Sequence, residues 1–185
     1  YYTAFFHGAD NGSMGFEAFA RTAGYTHYFG RTEYNEANPD NKDFDGHWGI
    51  WDEKFFQFFG NTLSGFQQPF AAALFSLSSH HPFAVPAEYE GVFPKGNKPI
   101  RQCIGYTDNA LKLFFEKVSK EPWYKNTLFV FTADHTNSPE RPEYETESGL
   151  FSVPVVFYQP GSDLKGFRKD VIAQQIDIMP TVLGY

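Results

Sequence analysis

The stretch from residue 127 to 138, Thr-Leu-Phe-Val-Phe-Thr-Ala-Asp-His-Thr-Asn-Ser, constrains the fold of this chain more than any other. Five of its first seven residues are β-branched or aromatic, so 127–133 reads as a strand buried on both faces, as in the interior of a parallel sheet. The apolar run stops at Asp134-His135. Open α/β sheets gather their chemistry beyond the carboxyl ends of the strands, which is where this pair falls. A carboxylate beside an imidazole offers two ligands to a hard or borderline divalent cation. The bland alternative is an Asp and a His that cap the following turn.

With 185 residues the chain is long enough for one domain with a sizeable core. Its 22 acidic against 15 basic residues give a net charge of −7, and no long basic run is present, which argues against nucleic acid as a partner. Aromatic residues make up 19% of the chain, including 22 Phe and 11 Tyr, enough for a thick core and a cleft walled by rings. Cys103 is the sole cysteine, so an internal disulfide is impossible, and it reads as a small buried hydrophobe. No apolar run reaches membrane-spanning length. The chain opens on Tyr-Tyr-Thr-Ala-Phe-Phe-His, without an initiator Met and inside an apparent strand, so the expectation is that upstream sequence has been removed.

Strands are expected at 1–6, 69–77, 127–133 and 153–158, with a shorter one at 25–29. Amphipathic helices are expected from Ser13 to about Ala23, from Asp52 to Gly65 and from Ile100 to Lys120, and a short one after Asp177. Residues 31–45 read as a polar surface excursion, 82–99 as an irregular Pro-rich loop and 137–148 as a charged loop over a site. The alternation predicts an α/β fold, a mainly parallel sheet with helices on both faces, as one domain over 1–185.

Three of the strands deliver histidines at their carboxyl ends: His7, His80-His81 and Asp134-His135. Parallel strands would bring these ends to one crevice, which suggests a metal-dependent site for an anionic substrate. His27 and His47 fall outside the pattern and read as surface or packing residues. Ester chemistry through a covalent intermediate also needs a nucleophile. Ser78 and Ser79 lie near the site without a nucleophile-elbow context, and Cys103 falls in the middle of a helix. The alternative to an enzyme is a binding module that holds anionic glycan or lipid head groups in a His-rich, aromatic cleft.

Five motifs then occur in order: Phe5-Phe6-His7-Gly8, Trp48-Gly49-Ile50 with Asp52-Glu53, Ser79-His80-His81-Pro82-Phe83, Phe131-Thr132-Ala133-Asp134-His135, and Gln175-Ile176-Asp177-Ile178-Met179-Pro180-Thr181. In this the chain resembles the sulfatase-type branch of the alkaline phosphatase superfamily, and within it the lipoteichoic acid synthase and phosphoglycerol transferase group. The resemblance implies the C-terminal portion of an alkaline-phosphatase-like catalytic domain, extracytoplasmic and tethered by N-terminal transmembrane helices, that hydrolyses or transfers sulfate or phosphate esters of envelope glycans or lipids. It implies a divalent metal, Mn or Mg with Ca as a further option, held in part by Asp134 and His135. His80 would contact the substrate, and His7, Asp10 and Asn11 would sit at its edge. The nucleophile is expected upstream of Tyr1. Met14 and Phe16 fall roughly where transferases of the group show Trp and Arg. An open sheet edge left by truncation is expected to favour a dimer.

Overall fold

The computed structural model describes residues 1–185, which form two compact units, Tyr1–Glu121 and Pro122–Tyr185. In the first, β1 (Tyr2–His7) is the central strand of a three-stranded parallel sheet ordered β2-β1-β3, with β2 at His27–Phe29 and β3 at Phe70–Phe75. The registers pair Ala4 with His27 and Phe6 with Phe29 on one side, and Tyr2 with Phe70 and His7 with Phe75 on the other.

Side chains alternate across a strand, so β1 feeds both faces of this sheet. Ala4 and Phe6 point to one face and form a cluster with Tyr34, Ile50 and Phe55, from α2 (Arg31–Ala37), the loop after it and α3 (Asp52–Ser64). Phe5 points to the other, against Ala20 of α1 (Phe16–Thr22) and Tyr28. Helices thus cover both faces, and their sides follow from the winding. The chain leaves β1 through α1 to reach β2, then crosses through α2 and α3 to reach β3 on the opposite side of β1. Such a reversal leaves a crevice beyond the carboxyl ends of β1 and β3. The fourth long element, α4 (Ile100–Val118), packs on α3: Phe59 stacks on Phe114 at 5.6 Å, and a Cβ at Gly60 would come within 3.1 Å of Val118 Cγ1.

Helix α2 lies within the segment expected to be a polar excursion. Its start is secured by Glu33, whose Oε2 accepts the Gly30 N–H, and its one buried side chain is Tyr34. One apolar anchor among polar residues is too sparse a period to announce a helix.

In the second unit, β4 (Phe129–Thr132) and β5 (Val155–Tyr158) pair antiparallel, with Phe129 opposite Tyr158 and Thr132 opposite Val155. The parallel expectation therefore describes β1 to β3, while β5 departs from it. A parallel return needs a helical crossover. The segment joining β4 to β5 offers only single 3₁₀ turns at Pro142–Tyr144 and Gly149–Phe151, and the chain doubles back instead. A last helix, α5, spans Ile178–Gly184. No helix is long and apolar enough to cross a membrane.

Candidate active site

Beyond β3 the chain is tied down by a buried carboxylate. Asp52, wholly enclosed at the start of α3, accepts the Leu77 N–H at Oδ1 (2.8 Å) and the Ser78 N–H (3.1 Å) and Thr107 hydroxyl (3.0 Å) at Oδ2, while its own N–H donates to Ser78 Oγ at 3.0 Å. Burial pushes its carboxyl above the ordinary carboxylate range, and these bonds pull the other way. The sequence marked Asp52 as the start of a helix and as part of a motif, with no role of its own. The Ser78 hydroxyl is buried in this network, and Ser79 is half-buried.

His80 follows, exposed. Its Nδ1 lies 2.9 Å from the His81 carbonyl oxygen, which also accepts Trp48 Nε1–H at 2.6 Å. The Trp48 and His80 rings meet edge to face at 4.6 Å. Asp45, His47, Trp48, Trp51, Ser78 and His80 line a shallow pocket here. His47 is thus an exposed wall of that pocket.

At the end of β1, His7 is completely buried. Its Nδ1 donates to the Phe75 carbonyl at 3.2 Å, its ring packs between Phe16 and Phe75, and Nε2 has no partner. Desolvation lowers its pKa from the usual 6.5. Asp10 is exposed and pairs with Arg31 Nη1 at 3.0 Å. Asn11 has both ends of its amide engaged, Nδ2 with the Glu33 carboxylate and Oδ1 with the Thr32 N–H. Both residues join the loop after β1 to the first turn of α2.

In the second unit, Asp134 and His135 are neighbours at the end of β4, with side chains 55% and 46% exposed. Asp134 Oδ1 accepts the His135 N–H at 2.8 Å, and Oδ2 lies 3.4 Å from His135 Nε2. His135 Nδ1 meets the Thr136 carbonyl at 3.2 Å, and a carbonyl only accepts, so Nδ1 carries the ring hydrogen. In the neutral imidazole Nε2 then turns a lone pair toward a carboxylate lone pair. Two acceptors at this distance repel unless a proton or a cation lies between them. The donor types, carboxylate oxygen and imidazole nitrogen, fit manganese, magnesium or zinc as two of the ligands. No group of three or more His, Cys, Asp or Glu is arranged to hold an ion. Gln175 Nε2 steadies this strand end by donating to the carbonyls of Ala133 (2.6 Å) and Asp134 (3.0 Å).

The structure thus joins Asp134 with His135 in one unit and His80 with Trp48 in the other. Trp48 and Asp45, which the sequence left without a role, join the list of site residues. Their signal was the Asp-Gly-His-Trp-Gly run, a turn sequence carrying a large ring.

Comparison with known proteins adds the lineage. The chain is 24% identical to a lipoteichoic acid synthase-like protein, YvgJ, of Bacillus subtilis over 99% of its own length and 32% of that protein. It is 25% identical to lipoteichoic acid synthase 1 of the same organism, over 99% of this chain and 30% of the relative. It therefore spans about a third of the length of these curated relatives. Among solved structures, an alkaline phosphatase superfamily protein from Vibrio parahaemolyticus superposes with a TM-score of 0.78 at 24% identity, covering 99% of this chain and 44% of that one. The lipoteichoic acid synthase LtaP of Listeria monocytogenes gives 0.69 at 21% identity, over 88% and 44%. At these identities the structural likeness speaks for the fold. The family model described as Sulfatase matches residues 1–185, the entire chain, and the chain belongs to the sulfatase family.

Proposed function

We propose that these residues are the C-terminal portion of the catalytic domain of a metal-dependent enzyme that hydrolyses or transfers phosphate or sulfate esters of anionic envelope glycans or lipids. The observation that carries the reading is the Asp134–His135 pair, a carboxylate oxygen and an imidazole nitrogen 3.4 Å apart at an exposed strand end. Family membership and the lipoteichoic acid synthase relatives support the ester class. In this reading Asp134 and His135 hold a divalent ion, manganese or magnesium, which when bound supplies positive charge to the ester oxygens. His80 meets the ester with Nε2. Asp10 lies at the substrate edge, and His7 and Asn11 act from behind it by fixing the loop after β1. The nucleophile comes from sequence outside these residues, since the Ser78 oxygen accepts the Asp52 N–H inside the core. The whole protein is membrane-tethered, with this domain extracytoplasmic.

Turnover of aryl phosphate, aryl sulfate and phosphoglycerol substrates by the full-length protein, with and without manganese, tests the reading. Metal-dependent release that vanishes in Asp134→Ala is the expected result. Full activity in Asp134→Ala, or none on any of the three esters at saturating metal, overturns it. Binding of anionic glycan without turnover would instead mark the protein as a binding module.

A further inference from the structure

An exposed imidazole ordinarily turns about its side-chain torsions and exchanges its proton between two ring nitrogens. His80 is held against both freedoms. Nδ1 lies 2.9 Å from the His81 carbonyl oxygen, an atom that only accepts, so Nδ1 bears the hydrogen and Nε2 keeps its lone pair. Trp48 donates Nε1–H to the same oxygen at 2.6 Å, filling its second lone pair, and its indole meets the imidazole edge to face at 4.6 Å with 73° between the planes. The tryptophan thus fixes the carbonyl that selects the tautomer and also limits the rotation of the ring.

Trp48 is itself pinned. One oxygen of Asp45, Oδ1, accepts the N–H groups of His47 (2.7 Å), Trp48 (2.7 Å) and Gly49 (3.0 Å), and the Asp45 N–H donates to the Gly49 carbonyl at 2.8 Å. The loop is then pressed onto the end of β1. Ile50 donates to the Gly8 carbonyl at 3.0 Å, and a Cβ at Gly49 would lie 2.3 Å from that same oxygen, so only glycine allows the approach. Asp45, Trp48 and His81 form a continuous chain of contacts from β1 to the imidazole.

We propose that Trp48, held by Asp45, is the positioning residue for His80: it fixes the imidazole in the Nδ1–H tautomer so that Nε2 faces a phosphate- or sulfate-ester substrate. Neutral, this nitrogen accepts a hydroxyl hydrogen; protonated, it donates to an anionic ester oxygen. The use of Nε2 rests on the function proposed above, whereas the tautomer and its cause do not.

The test reads the ring nitrogens of the ¹⁵N-labelled 185-residue chain by NMR at about pH 8, above the ordinary imidazole range. His80 is expected to show a protonated Nδ1 and a bare Nε2, and the Trp48 indole hydrogen to exchange with water far more slowly than that of free tryptophan. Trp48→Phe keeps a ring and removes the donor, and the tautomer ratio should fall roughly fivefold, the effect of one hydrogen bond. Asp45→Ala should move it in the same direction without altering either ring, and serves if Trp48→Phe fails to fold. A hydrogen on Nε2 in the unaltered chain, an indole exchanging as fast as free tryptophan, or an unchanged ratio in a folded variant would each overturn the proposal. Titration with inorganic phosphate separates the two readings. A His80 ring that ignores phosphate while keeping its tautomer removes the ester contact and leaves the role of Trp48 standing, and a lost tautomer removes that role whether or not phosphate binds.

Discussion

The ends of β3 and β4 carry similar chemistry and are built in opposite ways. After β3, Asp52 grips the backbone of Leu77 and Ser78, and Trp48 fixes His80, so contacts from α3, α4 and a distant loop converge on one turn. After β4, Asp134 and His135 bond mostly to themselves and to Thr136, with longer ties through Gln175 and through the Thr136 N–H to the Leu150 carbonyl. The difference matches the tasks proposed for them. A single hydrogen bond to a substrate is worth something only if its direction is set in advance. Ligands of an ion are drawn into place by the field of the ion itself, so the protein can leave them open.

The sharpest way to break this contrast is to exchange the importance of the two ends. In the full-length protein, Asp134→Ala should lower turnover by several orders of magnitude, because it removes a ligand of the proposed metal, whereas His80→Ala should lower it on the order of 10² to 10³, like loss of one oxyanion donor. Equal losses in initial-rate measurements would mean that the two ends do not divide the work in this way. For stability the ranking reverses. Asp52→Ala strands the Leu77 N–H, the Ser78 N–H and the Thr107 hydroxyl in the core, at an expected cost of about 3 kcal/mol or more, read from the urea midpoint of the 185-residue chain.

A pH series sharpens the picture of the first unit. Burial favours neutral His7 and holds its pKa below 6.5, so the unfolded chain takes up the proton first. The stabilisation from the neutral ring is fully present above pH 6.5 and is lost as pH falls from there toward the folded-state value. His7→Phe should flatten the stability curve across that window, and an unchanged slope in chemical denaturation would assign it to other groups. The smallest effect belongs to the open end. Gln175→Ala removes exposed donors to Ala133 and Asp134 and should cost only about 0.5 kcal/mol. A cost matching that of Asp52→Ala would show that the β4 end is as firmly built as the β3 end.

Much of this architecture could be read from local pattern. The continuous apolar runs announced β1, β3 and β4, the spacing from Ile100 onward announced α4, and the polar break after Ala133 placed Asp134 and His135 at a strand end. What escaped depends on partners far away in sequence. Asp52 looks like any helix-capping carboxylate until Leu77 and Thr107 close over it, and Trp48 looks like an aromatic in a turn until the His81 carbonyl meets its nitrogen. The antiparallel return of β5 escaped for a related reason. Strand direction is set by what the connection can span, and the strand residues themselves do not record it.

The sheet order has a consequence for biosynthesis. Strand β1, with Ala4 and Phe6 at its centre, receives its first neighbour from residues 27–29 and its second only when Phe70–Phe75 emerges. At ribosomal rates of about 5–20 residues per second, the roughly forty residues between these neighbours hold one edge of β1 open for roughly 2 to 8 seconds. Through that interval an apolar strand with unpaired amides is offered to any other chain nearby. Slow codons placed between residues 30 and 70 would prolong the exposure, and the yield of folded protein in a host should fall with them, whereas the same codons after residue 75 leave β1 already enclosed.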